Sequence, residues 1–154
     1  ISGPEPQRTL FEKELLPQLE KLNLNCTVLL GKPDENSSAR IKGKLKVFPH
    51  MNSADIERHL QSAKVVISRT GYTTVMDLAL LGKQALLIPT PGQTEQEYLG
   101  KHYQKKGWYV IQLQGKIDVA KGLAELNNTT APKFEQSMYL AKALNDFLND
   151  YDND

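Results

Sequence analysis

The residues best suited to chemistry lie between Lys64 and Gly82, in the run KVVISRTGYTTVMDLALLG. Arg69, Thr70 and Gly71 supply a cation, a hydroxyl and a residue free to take positive φ, so the chain can turn sharply and bring bare backbone against a ligand. An arginine directly after a buried strand is ill placed for packing. It is well placed for a phosphate, which its planar fork can contact at two points. Asp77 lies six residues beyond Gly71, about two turns into a helix by 3.6-residue geometry. A carboxylate there repels phosphate but can accept hydrogen bonds from two sugar hydroxyls, as an acidic residue does for ribose in dinucleotide sites. Diphosphate at the turn and ribose near Asp77 together describe a nucleotide. The competing reading is an ordinary turn between strand and helix.

These residues need a strand end and a helix start to hold them. Val65, Val66 and Ile67 form the β-branched run of a strand buried on both faces, ending near Ser68. Helical spacing follows at once, with Val75, Leu78 and Leu81 on one face, Ala79 beside them and Gly82 as terminator. That order places free N–H groups and a positive dipole end where an anion can sit. Ala85 to Ile88 repeat the buried-strand pattern, and Pro89 and Pro91 then stiffen a loop, PTPGQTEQEY, at the same edge. In it Gln93, Thr94, Glu95, Gln96 and Glu97 straddle a helix start, either as a capped, charged first turn or as a comb of groups for a polyol.

The remaining elements follow the same alternation. Leu10, Phe11, Leu15, Leu19 and Leu22 predict a first helix that Pro17 should kink or divide. Cys26 to Leu30 predict a strand, residues 31 to 43 a polar surface loop with no packing task, and Leu45 to Phe48 a strand ending at Pro49. His50, Met51 and Asn52 form a strand-end loop, and Ser53 is the expected cap of a helix through Ser62 that turns Ile56 and Leu60 inward. Phe48 and Met51 suit core closure as well as ligand contact. Later come a helix from about Thr94 to Lys106, a last strand from Trp108 to Leu113, a short helix from Ile117 to Leu126, and a striped helix carrying Phe134, Met138, Ala141, Leu144 and Leu148. Strands separated by helices imply an α/β, Rossmann-like parallel sheet with helices on both faces and ligands at the carboxyl ends of its strands.

Composition limits what such a domain does. With 154 residues, 40% of them hydrophobic, the chain suits one domain over residues 1–154. Nineteen basic against eighteen acidic residues leave a net charge of +1, so no global field argues for nucleic acid or an anionic membrane. The lone Cys26 excludes an internal disulfide and fits a reducing compartment. No apolar run approaches the roughly 20 residues of a membrane span, so any membrane contact is expected to be peripheral. There is no nucleophile elbow, Walker lysine motif or Cys/His metal spacing. His59 and His102 fall among polar helix residues, and Asp150 and Asp152 read as a solvated tail. Ile1 to Gly3 read as the end of a strand, which makes the chain an expected C-terminal part of a longer polypeptide.

The stretch VVISRTGYTTVMDLALLGKQALLIPTPGQTEQEY resembles the donor-binding signature of the MurG-like glycosyltransferases: strand, S-R-S-G-type turn, acidic helix, strand ending in proline, Gln-rich loop. The resemblance is good over about residues 44 to 108 and holds elsewhere in outline. It implies the C-terminal half of a GT-B fold, whose donor is a UDP-sugar, commonly UDP-N-acetylglucosamine. By resemblance, Arg69, Thr70, Gly71, Thr73 and Thr74 face the diphosphate, and Asp77 stands on the ribose where the family has glutamate. Gln96 matches the first of a glutamine pair that contacts sugar hydroxyls, with Glu97 in place of the second and Gln93 beside them. Phe48 to Met51 match the segment whose backbone reads uracil. The first Gly-rich loop of the family corresponds to Ser2-Gly3-Pro4-Glu5-Pro6, with Gly3 retained and Arg8 as a substitute anion contact.

These correspondences imply the donor half of an inverting transferase that needs no metal or other cofactor. The general base and acceptor site are expected in an N-terminal domain of the same polypeptide, so that no catalytic residue lies in this chain. The expected setting is cytoplasmic, with any membrane contact peripheral at the inner face. Two alternatives stay open: a nucleotide-sugar hydrolase of the same fold, and a non-catalytic partner-docking domain.

Overall fold

Alternate residues of one strand build two cores on opposite sides of a sheet. In β5 (Gln84–Leu87) and the residue after it, Leu86 and Ile88 join one apolar cluster while Ala85 and Leu87 join another, and all four are wholly buried. Such a strand must carry helices on both faces, which is why its sequence is apolar throughout. The molecule is described by a computed structural model covering residues 1–33 and 38–132. The predicted helix around Phe134 to Leu148, and the acidic tail with Asp150 and Asp152, lie outside the described residues.

The element order is α1 (Gln7–Leu22), β1 (Cys26–Leu29), β2 (Arg40–Lys42), β3 (Leu45–Phe48), α2 (Ser53–Ser62), β4 (Val65–Ser68), α3 (Tyr72–Leu80), β5, α4 (Thr94–Lys105), β6 (Val110–Ile111) and α5 (Val119–Glu125), then a 3-10 turn (Leu126–Asn128). β4, β5 and β6 form one parallel sheet in that order. β1 pairs parallel with β3, and β2 adds an antiparallel edge to β3. The α/β class with parallel strands and helices on both faces is therefore as the sequence predicts. α1 supplies Phe11, Leu15 and Leu19 to a core with Val28, Leu45, Val47, Leu86, Ile88 and Val119, whereas Val75, Leu78, Tyr103 and Tyr109 pack on the other side. Each such side chain contributes about 1.5–3 kcal/mol by leaving water.

Five local expectations are corrected. α1 runs undivided across Pro17, which lies on its exposed face. Residues 31 to 43 are not all loop, because Arg40 to Lys42 pair with β3. The cap of α2 is Asn52, whose side chain accepts from the Asp55 amide at 2.9 Å, rather than Ser53, which is the first helical residue. The last strand is cut to Val110–Ile111, since the Trp108 amide closes the end of α4 on the Tyr103 carbonyl at 3.1 Å, beside Gly107 at φ +67°. Val65, Val66 and Ile67 are only half-buried, although their sequence is that of a fully covered strand.

Candidate functional site

The carboxyl ends of β4 and β5 meet two loops and the start of a helix. Gly3 has φ +118°, and a Cβ built on it would lie 3.7 Å from Thr90 Oγ1 and 3.8 Å from Arg69 Nε, so the Gly3 turn, the strand-β5 loop and the strand-β4 turn converge at one mouth. Gly100 of α4 closes the rear: a Cβ there would meet Pro89 Cγ at 3.0 Å and Thr70 Cγ2 at 3.9 Å.

α3 begins at this mouth without a cap. Gly71 is its N-cap residue, no side chain accepts from the first turn, and the first amide with a backbone acceptor is that of Val75, bonded to the Gly71 carbonyl at 3.0 Å. The amides of Tyr72, Thr73 and Thr74 are left without a protein partner among the described residues, at the positive end of the helix dipole. Gly71 itself has φ −72°, so the expected positive φ is not what requires glycine. A Cβ there would make only an ordinary 3.8 Å contact with Thr74 Oγ1; the missing side chain leaves the backbone uncovered.

Two buried hydroxyls face no partner. Thr70 is fully buried and Thr90 is 1% exposed, and the Oγ1 of each lacks a hydrogen bond. An orphan buried hydroxyl costs about 1–3 kcal/mol, and two at neighbouring strand ends mark a place where a polar ligand would repay that cost. Thr90 was not picked out by sequence reasoning. Its signal was available, since Thr90 follows β5 at the level where Thr70 follows β4.

Arg69 does not reach the mouth. Its guanidinium is 3% exposed, donates through Nε to Ser2 O at 3.2 Å and through Nη2 to Gln7 O at 3.0 Å, contacts Ile88 O and Pro89 O through Nη1 at 3.4 Å, and lies 4.2 Å from the Phe11 ring centroid. The fork predicted for phosphate is thus spent on carbonyls from three chain segments, because those carbonyls end strands and turns and have no amide to pair with. Desolvation brings its pKa down to about 10, with Glu14 opposing.

The Gln-rich loop is closed on itself. Gln96 Oε1 accepts from the Thr90 amide at 3.0 Å, Glu97 Oε1 accepts from the Gly92 amide at 3.0 Å, and Gln96 Nε2 donates to Gln93 Oε1. Gln96 and Glu97 reach back from the first turn of α4 as a capping box does. Of the other predicted residues, Asp77 is exposed on α3 with no printed side-chain partner, Thr73 is exposed and Thr74 half-buried near the free amides. Arg8 is held by Glu5 and by the Gly31 carbonyl at 2.9 Å, away from any free anion contact. Phe48 and Met51 are half-buried, and the carbonyls of Phe48 and Pro49 accept from the Leu30 and Lys32 amides, so only the His50–Met51 backbone of that segment is open among the described residues.

The fold and this mouth define a class: an α/β domain with an anion-ready helix start at the carboxyl edge of a parallel sheet. Residues 7–149 match the family model of the glycosyltransferase family 28 C-terminal domain, and the chain belongs to that family. It is similar to the UDP-N-acetylglucosamine--N-acetylmuramyl-(pentapeptide) pyrophosphoryl-undecaprenol N-acetylglucosamine transferase of Caldicellulosiruptor saccharolyticus, 30% identical over 87 residues that make up 55% of this chain and 23% of the relative. The transferase of the same name numbered 1 in Bacillus thuringiensis is 27% identical over 122 residues, 76% of this chain and 34% of the relative, and that of Brucella canis is 35% identical over 81 residues, 50% and 21%. The chain thus spans about a fifth to a third of these relatives. No solved structure matches. Among the described residues, no helix is long and apolar enough to cross a membrane, and no group of three or more His, Cys, Asp or Glu could hold a metal.

Proposed function

We propose that this chain is the donor-binding half of an inverting GT-B glycosyltransferase that takes a UDP-sugar, with UDP-N-acetylglucosamine the favoured donor. The reading rests on the uncapped start of α3, where the amides of Tyr72, Thr73 and Thr74 lie next to the orphan hydroxyls of Thr70 and Thr90. Diphosphate oxygens would accept from these groups, with Thr73 and Thr74 beside them and Gly3 and Gly71 leaving room for close approach. As the sugar leaves UDP, negative charge grows on the phosphate, and fixed amides stabilise it at no reorganisation cost. Arg69 serves as a strap behind the site rather than as a contact. Asp77 would accept from the ribose hydroxyls, and the open His50–Met51 backbone would read the base, with Phe48 behind it. In the Gln-rich loop, Gln96 and Glu97 fix the shape, while the second Glu97 oxygen and the Gln93 amide nitrogen are the groups left for sugar hydroxyls.

The general base, the acceptor and any peripheral membrane contact belong in this reading to an N-terminal domain of the same polypeptide. The test is titration of the isotope-labelled chain with UDP, UDP-N-acetylglucosamine and ADP. Uridine ligands should shift the amide signals of Gly71 to Thr74 and bind more tightly than ADP. Saturating UDP that leaves those amides unmoved refutes the site, and a lack of binding by every nucleotide leaves the partner-docking reading in its place.

A further inference from the structure

The two three-stranded sheets end in open edges on either side of Ile1. In β1, the amides of Cys26 and Leu30 donate to Lys44 and Phe48 of the β3 side, so the main-chain groups of Thr27 and Leu29 point the other way. In β4, Ser68 O accepts from Ile88 on the β5 side, which turns the groups of Val65 and Ile67 outward. β1 and β4 are each the terminal strand of their sheet, so no strand among the described residues pairs with these outward groups.

Ile1 and Ser2 bridge the two edges. The Ile1 main-chain nitrogen donates to Leu29 O at 2.6 Å, on the open side of β1, and Ser2 O accepts from Arg69, the residue after β4. Ile1, Val65 and Ile67 border the same apolar core. Burial also drives the Ile1 amine down to about 6, so this position suits a neutral peptide N–H better than an ammonium. The contacts fall at the carboxyl ends of both strands, so a chain entering through Ile1 would run parallel to each.

We propose that the space between β1 and β4 is a slot for one further parallel strand, supplied by the residues immediately upstream of Ile1 in the longer polypeptide, which joins the two sheets into one. β1 and β4 are four residues long, so a strand of similar length fills the slot. Covered by helices on both faces, it should be β-branched and apolar. It would complete the burial of Val65 to Ile67, and it would fix the entry to the Gly3 turn. The inference concerns the sheet and does not depend on what the mouth binds.

Hydrogen exchange tests it on two forms, the polypeptide that continues upstream and the chain cut before Ile1. In the longer form the amides of Thr27, Leu29, Val65 and Ile67 should exchange at least about 100-fold more slowly than in the cut form, while those of Val28 and Val66 stay protected in both. Within the longer form, Ile1→Pro removes the donor to Leu29 O and should speed exchange along the β1 edge, with Ile1→Val unchanged. That comparison does not need the cut chain to fold. Fast exchange at the four amides in the longer form, or no response to Ile1→Pro, overturns the proposal. So does protection in the cut form that rises with protein concentration, which would give the slot to a second copy.

Discussion

Replacing Arg69 separates a strap from a phosphate clamp. Arg69→Lys keeps a cation but loses the planar fork, and one ammonium cannot serve Ser2, Gln7, Ile88 and Pro89 at once. At least one or two of these buried carbonyls would lose their donor, at about 1–3 kcal/mol each, and the stacking over Phe11 would weaken by roughly 0.5–2 kcal/mol. A loss of about 2–4 kcal/mol in unfolding free energy is expected. Arg69→Met also strands the carbonyls but removes a buried charge. The fall in the pKa of Arg69 from 12.5 to about 10 corresponds to roughly 3 kcal/mol of desolvation, so the methionine variant should be no less stable than the lysine variant. The assay is urea unfolding of both variants, followed by UDP titration under conditions where they remain folded. The strap predicts a lowered midpoint with UDP affinity within about threefold of the parent, whereas a clamp requires an unchanged midpoint and an affinity loss of tenfold or more, equal to about 1.4 kcal/mol. The second pattern refutes the reasoning.

Three further outcomes follow from the geometry. Gly71→Ala should leave stability unchanged or raise it by about 0.4–1 kcal/mol, since φ is −72° and the new methyl meets only Thr74, yet weaken UDP binding by covering the amides; unfolding and calorimetric titration read the two effects. Asn52→Ala should cost about 0.5–2 kcal/mol in chemical denaturation and Ser53→Ala almost nothing, because Asn52 carries the cap. Tyr109→Phe should stabilise by on the order of 1 kcal/mol through removal of an orphan hydroxyl. Burial and then Tyr103 raise the Tyr109 phenol from 10 to about 12, so the unfolded state loses its proton first, and the parent should lose roughly 2–3 kcal/mol relative to Tyr109→Phe between pH 10 and pH 12. Parallel unfolding curves for the two proteins across that range would contradict it.

The fold was legible where one period governed a segment. Val75, Leu78 and Ala79 declare the inward face of α3, and Ala85 to Ile88 declare a strand covered on both sides. Boundaries set by competition for single amides were not legible. The Trp108 amide can continue a strand or close a helix, and only the position of the Tyr103 carbonyl decides between them. The short β2 edge was hidden for a related reason: Arg40 to Lys42 are all exposed, so no hydrophobic pattern marks a strand whose stability comes from pairing with β3 alone.

At the site, residue type identified the place but not the task. Arginine, glutamine and glutamate carry donors and acceptors that a ligand can use, and a folded chain with unpaired main-chain groups can use them too. Arg69 follows a buried strand where several carbonyls end without amides, so the protein claims the fork before a phosphate can. Gln96 and Glu97 stand in the first turn of a helix with no capping side chain, so the amides of Thr90 and Gly92 claim them. What survives for a ligand is what the chain cannot satisfy internally: the first amides of α3 and the hydroxyls of Thr70 and Thr90. Backbone groups have no letter in a sequence. The most informative part of this mouth could therefore be foreseen only as a strand, a turn and a helix start in that order.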